Sequence, residues 1–386
     1  MKVAAVEVVP FTVPRTRFLD GGGTEETTIT QTLTCIRTED GSEGYCLGGA
    51  AHGDRDGLRP DQRADVERIG SSLLVGEDPF DRERFWRWFW SAHTDETVLS
   101  VLDIALWDLQ GRVLETPVHK LIGGCRDRVR AYASTFPNMG DPEDYADHAE
   151  ACLERGYPAY KIHPYYFWDP TTGESVPGRP SHIDYDIEAC RAVRDRVGEE
   201  MTLMYDPWGT YGTYEEALRV GRELEELGFY WYEHPLSEYR VDSYIDLAAA
   251  LDIPICSPEI AEGSIYTRAE WLQRDASDIS RIDTLRGGIT GCMKLAAICE
   301  AFGTRCEIHM SGFANLQVLG ATSADTCEYY ERGLLGPGID YNTPPPYLKA
   351  IPDPMDSDGF VRVPDTPGVG YQIDFDYVEG NRIASG

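Results

Sequence analysis

Apolar and polar positions along this chain change their rhythm between residues 1 and 130. Over residues 1–50 the apolar positions fall in short β-rich runs near 3–13, 28–37 and 43–48. Asp40-Gly41 is a turn signal between the second and third runs, and Gly21-Gly22-Gly23 marks an earlier loop. Residues 60–116 read as helices. The clearest covers 95–115, where Val98, Leu102, Ala105 and Leu109 return on one face. Asp95 stands where an N-cap belongs, and Pro117 stops the helix. This pattern predicts an N-terminal α+β unit over residues 1–125.

From about residue 130 short apolar β-rich runs alternate with amphipathic helical stretches, the βαβα signature of a parallel sheet. Strand-like runs end at or near Ser134, Lys161, Asp206, Glu233, Glu259, Asp283, His309 and Glu331, and the last five steps are 22–27 residues each. That is the length of one strand, one helix and two loops in an eightfold barrel of about 200–250 residues. The long step from Lys161 to Asp206 contains YYFWDPTTGESVPGRPSH, rich in Pro, Gly and Ser, which reads as an inserted loop. Removing it restores the period. The expected fold is therefore α/β, a TIM-type barrel over residues 126–345. Residues 346–386 lack the period and are expected to return onto the N-terminal unit.

Charge narrows the function. The 386 residues carry 66 acidic and 35 basic side chains, a net charge of −31. Such a surface repels phosphate backbones and anionic lipids, which argues against nucleic-acid and membrane partners. No apolar run approaches the ~20 residues of a membrane span. MKVAAVEVVPFTV reads as a strand rather than a secretory signal, so a cytoplasmic location is expected. Only five residues are lysine. Acid-rich, lysine-poor composition fits a protein hydrated in concentrated salt, and equally an acidic protein from a GC-rich genome. Ten cysteines without a CxxC read as reduced core residues.

The strand ends carry the candidate chemistry, because barrel active sites lie at that face. Asp206 (LMYDP), Glu233 (YWYEHP) and Glu259 (ICSPE) end successive strand runs. Three carboxylates so placed repel one another unless a cation sits between them, and an all-oxygen set favours Mg²⁺. Lys161 and His163, two apart in AYKIH, share one strand face. The lysine and a metal would disfavour protonation of His163 and leave it able to accept a proton. His309 (CEIHMSG) ends a later run. Asp283, one unit earlier, is placed to accept its N–H and fix its tautomer. Glu331 would donate a hydrogen bond as an acid, with Glu328 as the competing choice. His52, His93, His119, His148, His182 and His234 read as structural, His234 because adjacency to Glu233 turns it to the other side of the strand. Gly287-Gly288 reads as a tight turn rather than a phosphate loop. A metal clamp flanked by proton-transfer groups suits removal of a proton α to a carboxylate.

These residues resemble a known family, the enolase superfamily in its mandelate racemase subgroup, over nearly the whole chain. SVLDIALWDLQGRVLETPVHKLIGG resembles the end of that family's capping domain and the start of its barrel. DTLRGGITG places Asp283 at the family's dyad aspartate, EIHMSG places His309 at the dyad histidine, and TCEYYE places Glu331 at the eighth-strand glutamate. Asp206, Glu233 and Glu259 match its Mg²⁺ ligands. The resemblance implies a modified (β/α)₇β barrel, an α+β capping domain and a homo-oligomer, octamer or dimer. Two departures stand out. The family's usual Lys-x-Lys is here Lys161-Ile162-His163, and its frequent Asp-x-Asn is Asp206-Pro207-Trp208. The leading expectation is a Mg²⁺-dependent dehydratase of a sugar acid, an aldonate or aldarate. The rivals are a racemase or epimerase with the same residues and a non-catalytic acid-sugar-binding homologue. Specificity is expected in the loops near 15–27 and 47–55 and in the aromatic insert 165–182.

Overall fold

A computed structural model describes residues 1–49, 57–163 and 182–383. The insert with Tyr165, Tyr166, Phe167 and Trp168, the loop with His52, and the His182 side chain lie outside the described residues.

The first sheet is antiparallel: β1 (Val3–Phe18), β2 (Thr24–Thr38) and β3 (Glu43–Leu47). β1 and β2 run further than their apolar pattern. The register continues to Phe18 opposite Thr24 although the start of β2 is exposed, because the backbone ladder carries the pairing where side chains bury nothing. Gly21, Gly22 and Gly23 turn the hairpin, all at positive φ. Helices α1 (Pro60–Leu73), α2 (Arg82–Ser91), α3 (Glu96–Val113) and α4 (Val118–Leu121) follow. The Asp95 carboxylate caps α3, accepting from the Thr97 and Val98 amides at 3.1 and 3.3 Å.

Among the described residues, eight parallel strands then alternate with seven helices, the (β/α)₇β arrangement. They are β4 (Arg128–Thr135), α5 (Pro142–Glu154), β5 (Ala159–Ile162), α6 (His182–Val197), β6 (Thr202–Tyr205), α7 (Tyr214–Glu226), β7 (Trp231–Glu233), α8 (Val241–Ala250), β8 (Ile255–Cys256), α9 (Ile265–Gln273), β9 (Ile279–Ile282), α10 (Gly288–Phe302), β10 (Arg305–Ile308), α11 (Phe313–Ala321) and β11 (Tyr329–Leu335). Strands pair in chain order from β4 to β10, and β11 pairs with β4. At the remaining seam the buried Glu307 carboxylate accepts the Glu328 and Tyr329 amides, both at 3.0 Å, and so ties β10 to β11. Inside, Tyr132, Met204, Trp231, Ile279 and Tyr329 form a buried apolar layer. Outside, the strands pack on the surrounding helices through a second core. Beyond β11, β12 (Phe360–Arg362) adds antiparallel to β4, while Arg382 bridges to Phe11 on β1. Nine of the ten free cysteines are buried and Cys125 is exposed.

α3 joins the two sheets. It is buried nearly all round, and its polar groups grip the loop after β9. The Ser100 hydroxyl accepts the Gly287 and Gly288 amides at 3.0 and 3.1 Å. Asp103 accepts from the Thr290 amide at 3.0 Å and its hydroxyl at 2.6 Å. Asp103 therefore fills the start of α10 where a phosphate would sit. Gly288 needs its missing side chain: φ is 70° and an added Cβ would lie 2.3 Å from Asp103. Gly288→Ala is expected to cost about 2–4 kcal/mol, read by thermal melting. An unchanged melting temperature would refute this account of the docking.

Candidate active site at the barrel mouth

Most barrel strands deliver a polar side chain to the mouth at or just beyond their ends. Lys161 lies in β5, and His163 follows its end. Asp206, Asp283 and His309 each stand one residue beyond β6, β9 and β10, Glu233 ends β7, and Glu259 lies three residues beyond β8. Glu331 sits within β11 rather than at its end. It is paired with Tyr132, one layer deeper than Ser134, which pairs with Lys161.

Lys161 is wholly buried among carboxylates. Its Nζ stands 3.4 Å from Asp206 Oδ2, 3.2 Å from both oxygens of Glu233 and 3.1 Å from Glu331 Oε1. Burial alone would lower its pKa, but Glu233 and Glu331 outweigh it and hold the ammonium above its ordinary range. Lys161 is thus a standing cation.

Two histidines flank the acids. His163 Nδ1 lies 2.6 Å from the Thr135 carbonyl oxygen. A carbonyl can only accept, so Nδ1 carries the proton. His163 Nε2 then faces Asp206 Oδ2 at 3.2 Å. His309 repeats the arrangement, with Nδ1 2.8 Å from Asp283 Oδ2 and Nε2 2.9 Å from Glu259 Oε1. Burial would lower the His309 pKa, yet Glu259 and Asp283 raise it to about 9. Trp208, at φ 53°, sets its ring 5.0 Å from the His163 ring at 71°, and its amide donates to Asp206 Oδ1 at 2.9 Å. The indole walls one side of His163.

Three features differ from the sequence reading. Glu331 does not donate. It accepts from Ser134 Oγ at 2.7 Å, Arg281 Nη2 at 2.5 Å and the Met310 amide at 2.6 Å. Burial favours its acid form, but Lys161 and Arg281 prevail and hold it well below the carboxylate range. Glu328 is at the opposite end of the barrel, bonded to Tyr230 and Arg305. His234 is not turned away: the strand ends at Glu233, and φ of 40° at His234 breaks the alternation. Its Nδ1 lies 2.6 Å from Glu259 Oε2. Arg281, in the run ISRID, is a site residue that the strand-end pattern does not pick out. A cation two residues before Asp283 in a buried strand was the available signal, since period two turns both inward.

A divalent cation fits this donor set. Among the described residues, ligand atoms of Asp206, His234 and Glu259 lie within 4.8 Å of one another. Glu233 stands beside them with its carboxylate bonded by Lys161, Arg281 and Trp231 Nε1. Buried carboxylate oxygens are ligands for a hard ion such as Mg²⁺. A cavity of about 240 Å³ lies apart from these side chains, lined by Arg15, Ile29 and Leu47 of the first sheet, by Phe136 and Ser311, and by Tyr341 of the C-terminal stretch, among others; none of the acids or histidines above lines it.

The chain matches two family descriptions: "Mandelate racemase / muconate lactonizing enzyme, N-terminal domain" over residues 15–123 and "Enolase C-terminal domain-like" over 144–378. It is 30% identical to an arabinonate dehydratase of Saccharolobus solfataricus, covering 88% of this chain and 87% of that one. It is 30% identical to a D-galactarolactone cycloisomerase of Agrobacterium fabrum, covering 89% of each. A crystal structure of D-glucarate dehydratase from Agrobacterium tumefaciens complexed with magnesium superposes with a TM-score of 0.89 at 39% identity, covering 100% of both chains. Racemases also occur among the relatives.

Proposed function

We propose, from the premise that this chain belongs to the enolase superfamily in its mandelate racemase subgroup and is a hydro-lyase, that it dehydrates a sugar acid, an aldonate or aldarate, to a 2-keto-3-deoxy acid. The observation that carries this reading is the pair of imidazoles. Each has Nδ1 engaged by an acceptor, Thr135 O or Asp283 Oδ2, and each aims Nε2 at the same group of acids from a different side. Dehydration needs two such groups. One takes the proton from C2, and the other gives a proton to the departing C3 hydroxyl, so that water leaves and the enol becomes the 2-keto acid.

In this reading Mg²⁺ is held by Asp206, Glu233 and Glu259, and supplies positive charge beside the substrate carboxylate. His163 takes the α-proton. His309, oriented by Asp283, protonates the leaving hydroxyl. A free imidazole accepts a proton near neutral pH, where an ammonium near 10 must first lose one, which suits histidine as the base in place of the family's second lysine. Lys161 and Glu331 hold the acid cluster in register.

The division into a capping unit at 1–125, a barrel at 126–345 and a closing segment at 346–386 belongs to the same reading. So do a cytoplasmic location and a homo-oligomeric assembly. No helix among the described residues is long and apolar enough to cross a membrane.

A second reading is racemisation, because two imidazoles on two sides of one carbon can also exchange a proton. Incubation with a panel of aldonates and aldarates, with products assayed as 2-keto acids, tests the proposal. A keto acid from at least one substrate is expected; none from any would refute dehydration.

A further inference from the structure

Arg281 lies on β9 with its side chain fully buried inside the barrel. Its guanidinium serves four strands at once. Nε donates to Glu233 Oε1 on β7 at 2.7 Å, and Nη1 to the Ile308 carbonyl on β10 at 2.7 Å. Nη2 donates to Tyr132 Oη on β4 at 2.8 Å and to Glu331 Oε2 on β11 at 2.5 Å. Two of these bonds bracket His309. Ile308 is the residue before it, and the Glu331 oxygen bonded to Arg281 also accepts the amide of Met310, the residue after it. A third bond fixes the carboxylate of Glu233 beside Asp206 and Glu259.

We infer that Arg281 is a positioning residue that sets Glu233 for the metal and His309 for proton transfer from one rigid fork. The chemistry requires a guanidinium. Its donors leave in fixed directions from one plane, so a single side chain can bond Glu233 on one side and Glu331 on the other. A lysine concentrates three donors on one atom and cannot serve acceptors spread over four strands. Arg281 also supplies the charge that lets two carboxylates share a dry barrel interior. Removing it would leave both buried with Lys161 as their shared cation. The inference rests on the proposed function for the reaction it names, but its effect on the metal site can be read without turnover.

The test uses the full chain, comparing wild type with Arg281→Lys and Arg281→Met. Arg194→Lys is the control, since Arg194 is a largely buried arginine bonded to the Leu227, Gly198, Met201 and Gly228 carbonyls away from the mouth. Mn²⁺ affinity is measured by electron paramagnetic resonance titration of free Mn²⁺, and folding by circular dichroism. Arg281→Lys is expected to fold, to bind Mn²⁺ about 10–100-fold more weakly, and to lose kcat by a similar factor with a smaller change in KM. Arg281→Met should lose more than Arg281→Lys, and Arg194→Lys should match wild type in Mn²⁺ affinity. Wild-type Mn²⁺ affinity in Arg281→Lys would overturn the inference. So would failure of both Arg281 variants to fold, which would make the residue structural. If the wild type turns over no sugar acid, the proposed reaction fails while the Mn²⁺ titration still decides the role of Arg281.

Discussion

His309→Asn is expected to abolish dehydration, lowering kcat by about 10²–10⁴-fold, while α-deuterium exchange persists through His163. The expectation follows from the separate holding of the two imidazoles. Asparagine can preserve a bond to Asp283 but has no titratable nitrogen to give a proton. His163 is held by Thr135 and walled by Trp208, whereas His309 is held by Asp283 and Glu259. A substrate with its α-proton on the His163 side should therefore still wash in deuterium without losing water. Full dehydratase activity in His309→Asn would reverse the assignment. Loss of both dehydration and exchange would show that His309, not His163, takes the α-proton.

Chelation is expected to remove all turnover, with Mg²⁺ or Mn²⁺ restoring it. Asp206→Asn is expected to weaken Mn²⁺ binding by more than about 100-fold, the upper end of what a supporting partner costs. Asp206 is fully buried and carries one of the charges the ion would balance. Asparagine keeps one acceptor oxygen but removes that charge. The substitution also removes the carboxylate facing Lys161 and His163 Nε2. The measurement is a Mn²⁺ titration followed by rates at saturating metal. Undiminished activity in rigorously metal-free protein would end the metal-dependent account.

The barrel was legible because its signal is periodic. Strand-end residues recur at nearly constant spacing, and the long step before Asp206 could be removed as an insert. The cap of α3 was legible from Asp95 alone. What the sequence concealed depends on geometry beyond a strand's end. His234 escaped because alternation holds only within a strand, and one positive φ after Glu233 reverses it. The sequence suggests a proton on Glu331 that the structure does not, because its state depends on Arg281, a residue 50 positions away that no local pattern connects to it. Gly287-Gly288 shows the reverse case. The glycine pair reads as a turn from sequence alone, but why Gly288 must be glycine is visible only once Asp103 of α3 is seen against it. Thr135 acts through its backbone carbonyl, which no side-chain pattern records.

In the proposed reaction two oriented imidazoles remove the α-proton and expel the C3 hydroxyl of a sugar acid. The deciding experiment runs the wild-type enzyme with Mg²⁺ in D₂O over aldonates and aldarates, with products followed by mass spectrometry and proton NMR. A 2-keto-3-deoxy acid is expected, lighter by one water before any gain of solvent deuterium at C3. Deuterium at C2 with the hydroxyl retained, and inversion of the substrate as the only change, would contradict it.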